Sequence, residues 1–150
     1  MHTNKSLQTI NYLQIIVAVI LAAMSFIILP VCGPMKNGMH MSCYYTGILE
    51  TVVGIVLFVL AIVNLTNKNA LVHKILPFAQ IVIAAIAYMI PTKIIPIAVG
   101  TTMNGKTKLI GLCMKPMRCW TSFRGCSICL LIVVLLALIY LGMQYVTKKD

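Results

Sequence analysis

Acidic residues are almost missing. Glu50 and Asp150 are the only two in 150 residues, and charged side chains of every kind make up 9% of the chain. A soluble domain keeps about a quarter of its residues charged, so this composition excludes one. The 61% apolar content makes lipid the natural solvent for most of the chain. A single membrane domain is expected, with no soluble domain attached. The amino-terminal stretch MHTNKSLQTINY lacks the pattern of a cleaved signal peptide. The apolar run behind it is too long and ends in Leu-Pro-Val-Cys, so a retained helix is expected. The shortage of acid leaves a net charge of +10. The basic residues sit in short loops and have no aromatic stacking platform, so anionic lipid headgroups explain them better than nucleic acid.

What the chain does have is four long apolar runs. A bilayer core takes about 20 residues of helix. The expected spans are Ile10 to Leu29, closed by Pro30; Tyr45 to Leu65; Ile75 to Ala98, with Pro77 in the first turn and breaks at Pro91, Lys93 and Pro96; and Ser127 to Val146. In lipid every backbone polar group must be satisfied within its own helix, so the expected fold is an all-α, integral membrane four-helix bundle. Four spans put both termini and the turn 66–74 on one side, and the loops 31–44 and 100–124 on the other. The lysine and arginine count leans slightly toward cytoplasmic loops. Cysteine usage leans the other way, because paired loop cysteines suit an oxidising compartment. The expectation is cytoplasmic termini and outward cysteines.

Sulfur is concentrated in those two loops. VCGPMKNGMHMSCYYTG carries Cys32 and Cys43, and LCMKPMRCWTSFRGCSIC carries Cys113, Cys119, Cys126 and Cys129. Each loop has a Cys, then Pro-Met, then Met-x-Cys-aromatic, and each joins the two helices of a hairpin. This reads either as a pseudo-repeat of two helical hairpins or as two loops meeting the same interfacial constraints. Three chemistries stay open. Structural disulfides would most economically pair Cys32 with Cys43 and Cys113 with Cys119. Cys126 and Cys129, spaced i, i+3 at the expected start of the fourth helix, share a face as a redox pair would, with Arg124 nearby; buried small apolar cysteines would show the same spacing. Met39, His40, Met41 and Cys43 form a soft donor set for Cu(I), although the chain lacks a repeated Met-x-x-Met array, and methionine also fills gaps where loops lie on a bundle.

Glu50 is the one acid within a span. Such acids face a bundle interior and take a partner, so Lys93 and then Arg124 are the expected partners. The alternative is an interfacial Glu held by the helix N-terminal dipole. Ala22-Ala23, Gly54 and Ala84-Ala85 offer close approach between helices, within the bundle or to a partner.

The two loop motifs VCGPMKNGMHMSCYYTG and IGLCMKPMRCW resemble an uncharacterised bacterial family of small four-helix membrane proteins, a domain of unknown function, with Cys-rich patterns in both outer loops. Its members often accompany MacB-like ABC transporters. The resemblance runs from Cys32 to the fourth helix; where the family often has His after the second loop cysteine, this chain has Tyr44 and Trp120. It implies a non-enzymatic accessory subunit of an ABC transporter in a bacterial inner membrane, partnered by a permease and needing no cofactor. A second, weaker likeness is in layout to vitamin K epoxide reductase and DsbB-type oxidoreductases. It implies a quinone-linked thiol exchange using Cys32 and Cys43 in the loop and Cys126 and Cys129 in the membrane, with Cys113 and Cys119 extra to the reductase.

Overall fold

A computed structural model describes residues 2–33, 40–67, 69–102, 104–112 and 118–147. Four long helices carry it: α1 (His2–Ala23), α2 (Ser42–Thr66), α3 (Ala70–Met89) and α4 (Arg118–Thr147). All four are long and apolar enough to cross a membrane. The chain is therefore a multi-pass, all-α membrane bundle. Each helix packs beside its neighbours in sequence, and α1 closes the ring against α4.

The inward face of each helix repeats every three or four residues, alternately. In α2 the buried positions are Cys43, Thr46, Gly47, Glu50, Gly54, Leu57, Ala61 and Asn64. In α4 they include Cys119, Ser122, Cys126, Cys129, Val133, Ala137 and Tyr140. In α1, Asn11, Gln14, Ala18, Leu21 and Ser25 follow the same rhythm. This is the seven-residue seam of a left-handed bundle. No more than 33% of each span's most apolar stretch is buried within the bundle. Outward residues such as Ile16, Val52, Phe78 and Leu138 are exposed, as a lipid-facing surface requires.

The helix axes come closest where side chains are smallest. A Cβ on Gly54 would stand 2.6 Å from the Ala22 backbone nitrogen, so α1 and α2 cross here almost backbone to backbone. Ala84 and Ala87 bring α3 into the same core, with Ala18, Leu21, Leu57, Cys126 and Val133. The small residues Ala22, Gly54 and Ala84 thus serve internal packing.

Several span boundaries differ from the sequence reading: α1 begins at His2 and α2 at Ser42, ahead of Ile10 and Tyr45. The third helix runs Ala70–Met89 instead of 75–98. It ends just before Pro91, whose ring cannot continue the hydrogen-bond ladder, and Lys93 follows at φ 64°. Ala98 lies instead in an antiparallel hairpin, β1 (Ala98–Thr101) with β2 (Thr107–Leu109). Its turn includes Asn104-Gly105, a favoured hairpin pair, with Gly105 at φ 69°. The fourth helix begins at Arg118, nine residues before Ser127. The polar CWTSFRGC stretch, expected to be loop, is its helical beginning and lies within the candidate span Arg118–Val146.

Beyond Ala23, α1 widens into one π-helical turn, Met24–Ile28. The Leu29 N–H donates to the Met24 carbonyl at 2.8 Å, and the Val31 N–H reaches the Ser25 carbonyl at 2.9 Å. Turns of this kind are rare and concentrate at functional sites.

Candidate functional site

At the loop end of the bundle three cysteines from three segments converge. The sulfurs of Cys32, Cys43 and Cys119 all lie within 4.8 Å of one another. Cys32 follows the π-helical turn, whereas Cys43 and Cys119 are each the second residue of a helix, α2 and α4. The positive ends of two helix dipoles therefore lie at this trithiol. Cys43 and Cys119 are buried and Cys32 is half-buried. The two Met-x-Cys-aromatic motifs, Met41-Ser-Cys43-Tyr44 and Met117-Arg-Cys119-Trp120, thus place a thiol at the same helical position in both hairpins.

The pairing expected from sequence maps onto this cluster only in part. Cys32 and Cys43 are brought together, but Cys119 joins them. Cys113, its expected partner, lies outside the described residues, as do Met35, Met39, Met103, Met114 and Met117. Of the expected copper set, His40 stacks on Tyr44 with ring centroids 4.3 Å apart. Its carbonyl accepts a hydrogen bond from Lys108 Nζ, which also sits 5.4 Å over the Tyr45 ring. These contacts pin β2 to the start of α2, next to Cys43. The Thr46 hydroxyl adds a bond to the Gly111 carbonyl at 3.3 Å.

One heptad further into the bundle lies a second group. Ser25 Oγ donates to Glu50 Oε2 at 2.6 Å and stands 3.7 Å from Cys126 Sγ. All three residues are buried. The second oxygen of Glu50, Oε1, is buried with no hydrogen-bond partner among the described residues. The expected ion pairs of Glu50 with Lys93 or Arg124 do not form; both basic side chains are exposed. Extending to water costs a long cationic side chain little, whereas turning into the bundle would desolvate it. Cys126 and Cys129 do not open α4 as expected. They lie in its third turn and beyond, where the terminal dipole has faded. Cys129 packs in the apolar core with Leu130 and Val133.

At the opposite end, four helices each give one polar side chain to a single chain of hydrogen bonds. Asn64 Nδ2 donates to Asn11 Oδ1 at 2.9 Å. The carbonyl of Asn64 then accepts from His73 Nδ1 at 2.8 Å, and Tyr140 Oη lies 3.0 Å from the same nitrogen. Sequence reading missed this network. The available signal was polar residues at inward heptad positions of otherwise apolar runs.

These features define a class: a small four-span membrane bundle with sulfur, hydroxyl and carboxyl groups along its interior. The particular family follows from the sequence. The chain belongs to DUF4418, a domain of unknown function, whose pattern matches residues 14–144. Neither the curated proteins nor the solved structures include a match to it.

Proposed function

We propose that this chain is a membrane subunit whose trithiol binds a thiophilic metal ion, Cu(I) in preference to harder ions. The observation that carries the reading is the convergence of Cys32, Cys43 and Cys119 within 4.8 Å. A three-coordinate ion engages all three sulfurs at once, whereas a single disulfide within the cluster engages two. Soft thiolates select Cu(I). Zn(II) in a structural site takes four ligands and so needs a fourth donor. Binding requires that each thiol give up its proton, so affinity should rise with pH.

The test is competition for Cu(I) against a chromogenic Cu(I) chelator, with purified reduced protein in detergent. The wild type is expected to withdraw the ion from the chelator. Cys32→Ser, Cys43→Ser and Cys119→Ser should each weaken binding by at least tenfold. Equal binding by all four proteins would overturn the proposal.

The wider role, accessory subunit of an ABC transporter, is supported by the resemblance of the two Cys-rich loops. Co-purification of a permease in mild detergent tests it, and isolation of the chain alone would count against it. An inner-membrane location is supported by the resemblance, and cytoplasmic termini by cysteine usage. Impermeant thiol labelling of intact cells tests that sidedness.

A further inference from the structure

Each thiol of the trithiol has a polar or sulfur-bearing residue seven positions along the chain toward the membrane centre: Ser25 for Cys32, Glu50 for Cys43 and Cys126 for Cys119. The three inner residues meet one another. Ser25 Oγ lies 2.6 Å from Glu50 Oε2 and 3.7 Å from Cys126 Sγ. Along α2 and α4, seven residues correspond to a rise of about 10.5 Å; Cys32 follows Ser25 through the π-helical turn and a non-helical segment. Two three-residue layers are thus stacked on one seam, the outer of three sulfurs and the inner of one sulfur, one carboxyl and one hydroxyl.

We infer that the inner layer is a second cation site, which takes the same ion more weakly than the trithiol. This rests on the metal-binding reading above. Four observations carry it. Glu50 is 2% exposed, and its Oε1 has no partner among the described residues. A carboxyl oxygen left bare in a membrane interior is costly, and such acids mark ion pathways. Ser25 is held beside it by the π-helical turn Met24–Ile28, a local irregularity that a purely structural helix has no need of. The Met24 thioether lies 3.4 Å from the point where a Cβ on Gly125 would stand, which places a further soft donor beside the backbone next to Cys126. Between the layers, Ser122 is 1% exposed and its hydroxyl also has no partner among the described residues, so the step from outer to inner layer is lined by a polar atom on the α4 seam.

The donor chemistry orders the two sites. Three sulfurs hold Cu(I) more tightly than one sulfur with hard oxygens. Cys126 and Glu50 supply the charge that a cation needs away from water by giving up their protons as the ion binds. An ion captured at the loop end then has a weaker receiving site about one heptad inward, the arrangement of a path and not of a sink.

The experiment is a Cu(I) titration of the reduced full chain in detergent against chelators of graded affinity, reading the number of ions bound. Wild type should bind two Cu(I), the second at least tenfold more weakly. Glu50→Gln and Cys126→Ser should each lose the weaker ion and keep the tighter one; Cys119→Ser should lose the tighter. Both inner substitutions nearly preserve shape, and an unchanged thermal transition certifies the fold. One ion in wild type, lost in Cys119→Ser and kept in Cys126→Ser, would overturn the inner site and leave the trithiol standing. Two ions retained by both inner variants would also overturn it. No ion in wild type would overturn the trithiol reading itself, and the inner site with it.

Discussion

Ser25 donates its hydroxyl to Glu50 across 2.6 Å, from the π-helical end of α1 to α2. The partner of the one acid within the spans is thus a neutral side chain on a neighbouring helix. A hydroxyl provides the bond without bringing a second charge into the bilayer.

Removing that hydroxyl should be expensive. Ser25→Ala removes the closest donor to Glu50 and leaves it the Cys126 thiol, and a buried polar group that loses a partner costs about 1–3 kcal/mol. Thermal unfolding in detergent should show a lower midpoint for Ser25→Ala. Equal midpoints for wild type and Ser25→Ala would show that the contact contributes nothing.

The crossing at Ala22 and Gly54 makes a sharper prediction. Gly54→Ala puts a methyl group 2.6 Å from a backbone nitrogen that cannot rotate away. Overpacking of this kind typically costs about 1–3 kcal/mol. Gly142, also helical, has no atom within 4 Å of its Cβ position. There the same substitution should be neutral or should stabilise by up to about 1 kcal/mol, through helix propensity alone. Unfolding midpoints of the two variants, measured side by side, separate these outcomes.

The network of Asn11, Asn64, His73 and Tyr140 should behave as a coupled unit. Hydrogen bonds between membrane helices contribute about 0.6 kcal/mol on average and up to about 1.7 kcal/mol. A double-mutant cycle on Asn11→Ala and Asn64→Ala should give a coupling energy of that order. A cycle pairing Asn11→Ala with Gly142→Ala, which share no contact, should be additive. Additivity in the first cycle would contradict the network.

Much of the fold was legible in the sequence. Apolar runs of bilayer length specify the four helices, because lipid leaves the backbone no other way to satisfy itself. Boundaries were harder where helices continue beyond the apolar run. CWTSFRGC at the start of α4 reads as loop by hydropathy, yet it is helical because its inward positions, Cys119, Ser122 and Cys126, lie on the bundle seam. The hairpin around Asn104-Gly105 was hidden by strands of only four and three residues.

The site was legible by residue type and less so by grouping. Cys32 and Cys43 were read as a disulfide pair; their sulfurs lie close together with that of Cys119, which comes to them through the packing of α4, and no local spacing encodes that. Glu50 was read either as an interior acid or as an interfacial one; the structure buries it. Its partner was sought among cations, and Ser25 was overlooked because only the widened turn after Ala23 brings it into range.

X-ray absorption at the copper edge, on reduced protein loaded with one equivalent of Cu(I), tests the central claim most directly. The account predicts a first shell of three sulfurs in the wild type, falling to two in each of Cys32→Ser, Cys43→Ser and Cys119→Ser. A shell dominated by nitrogen or oxygen, or one that none of the three substitutions alters, would contradict it.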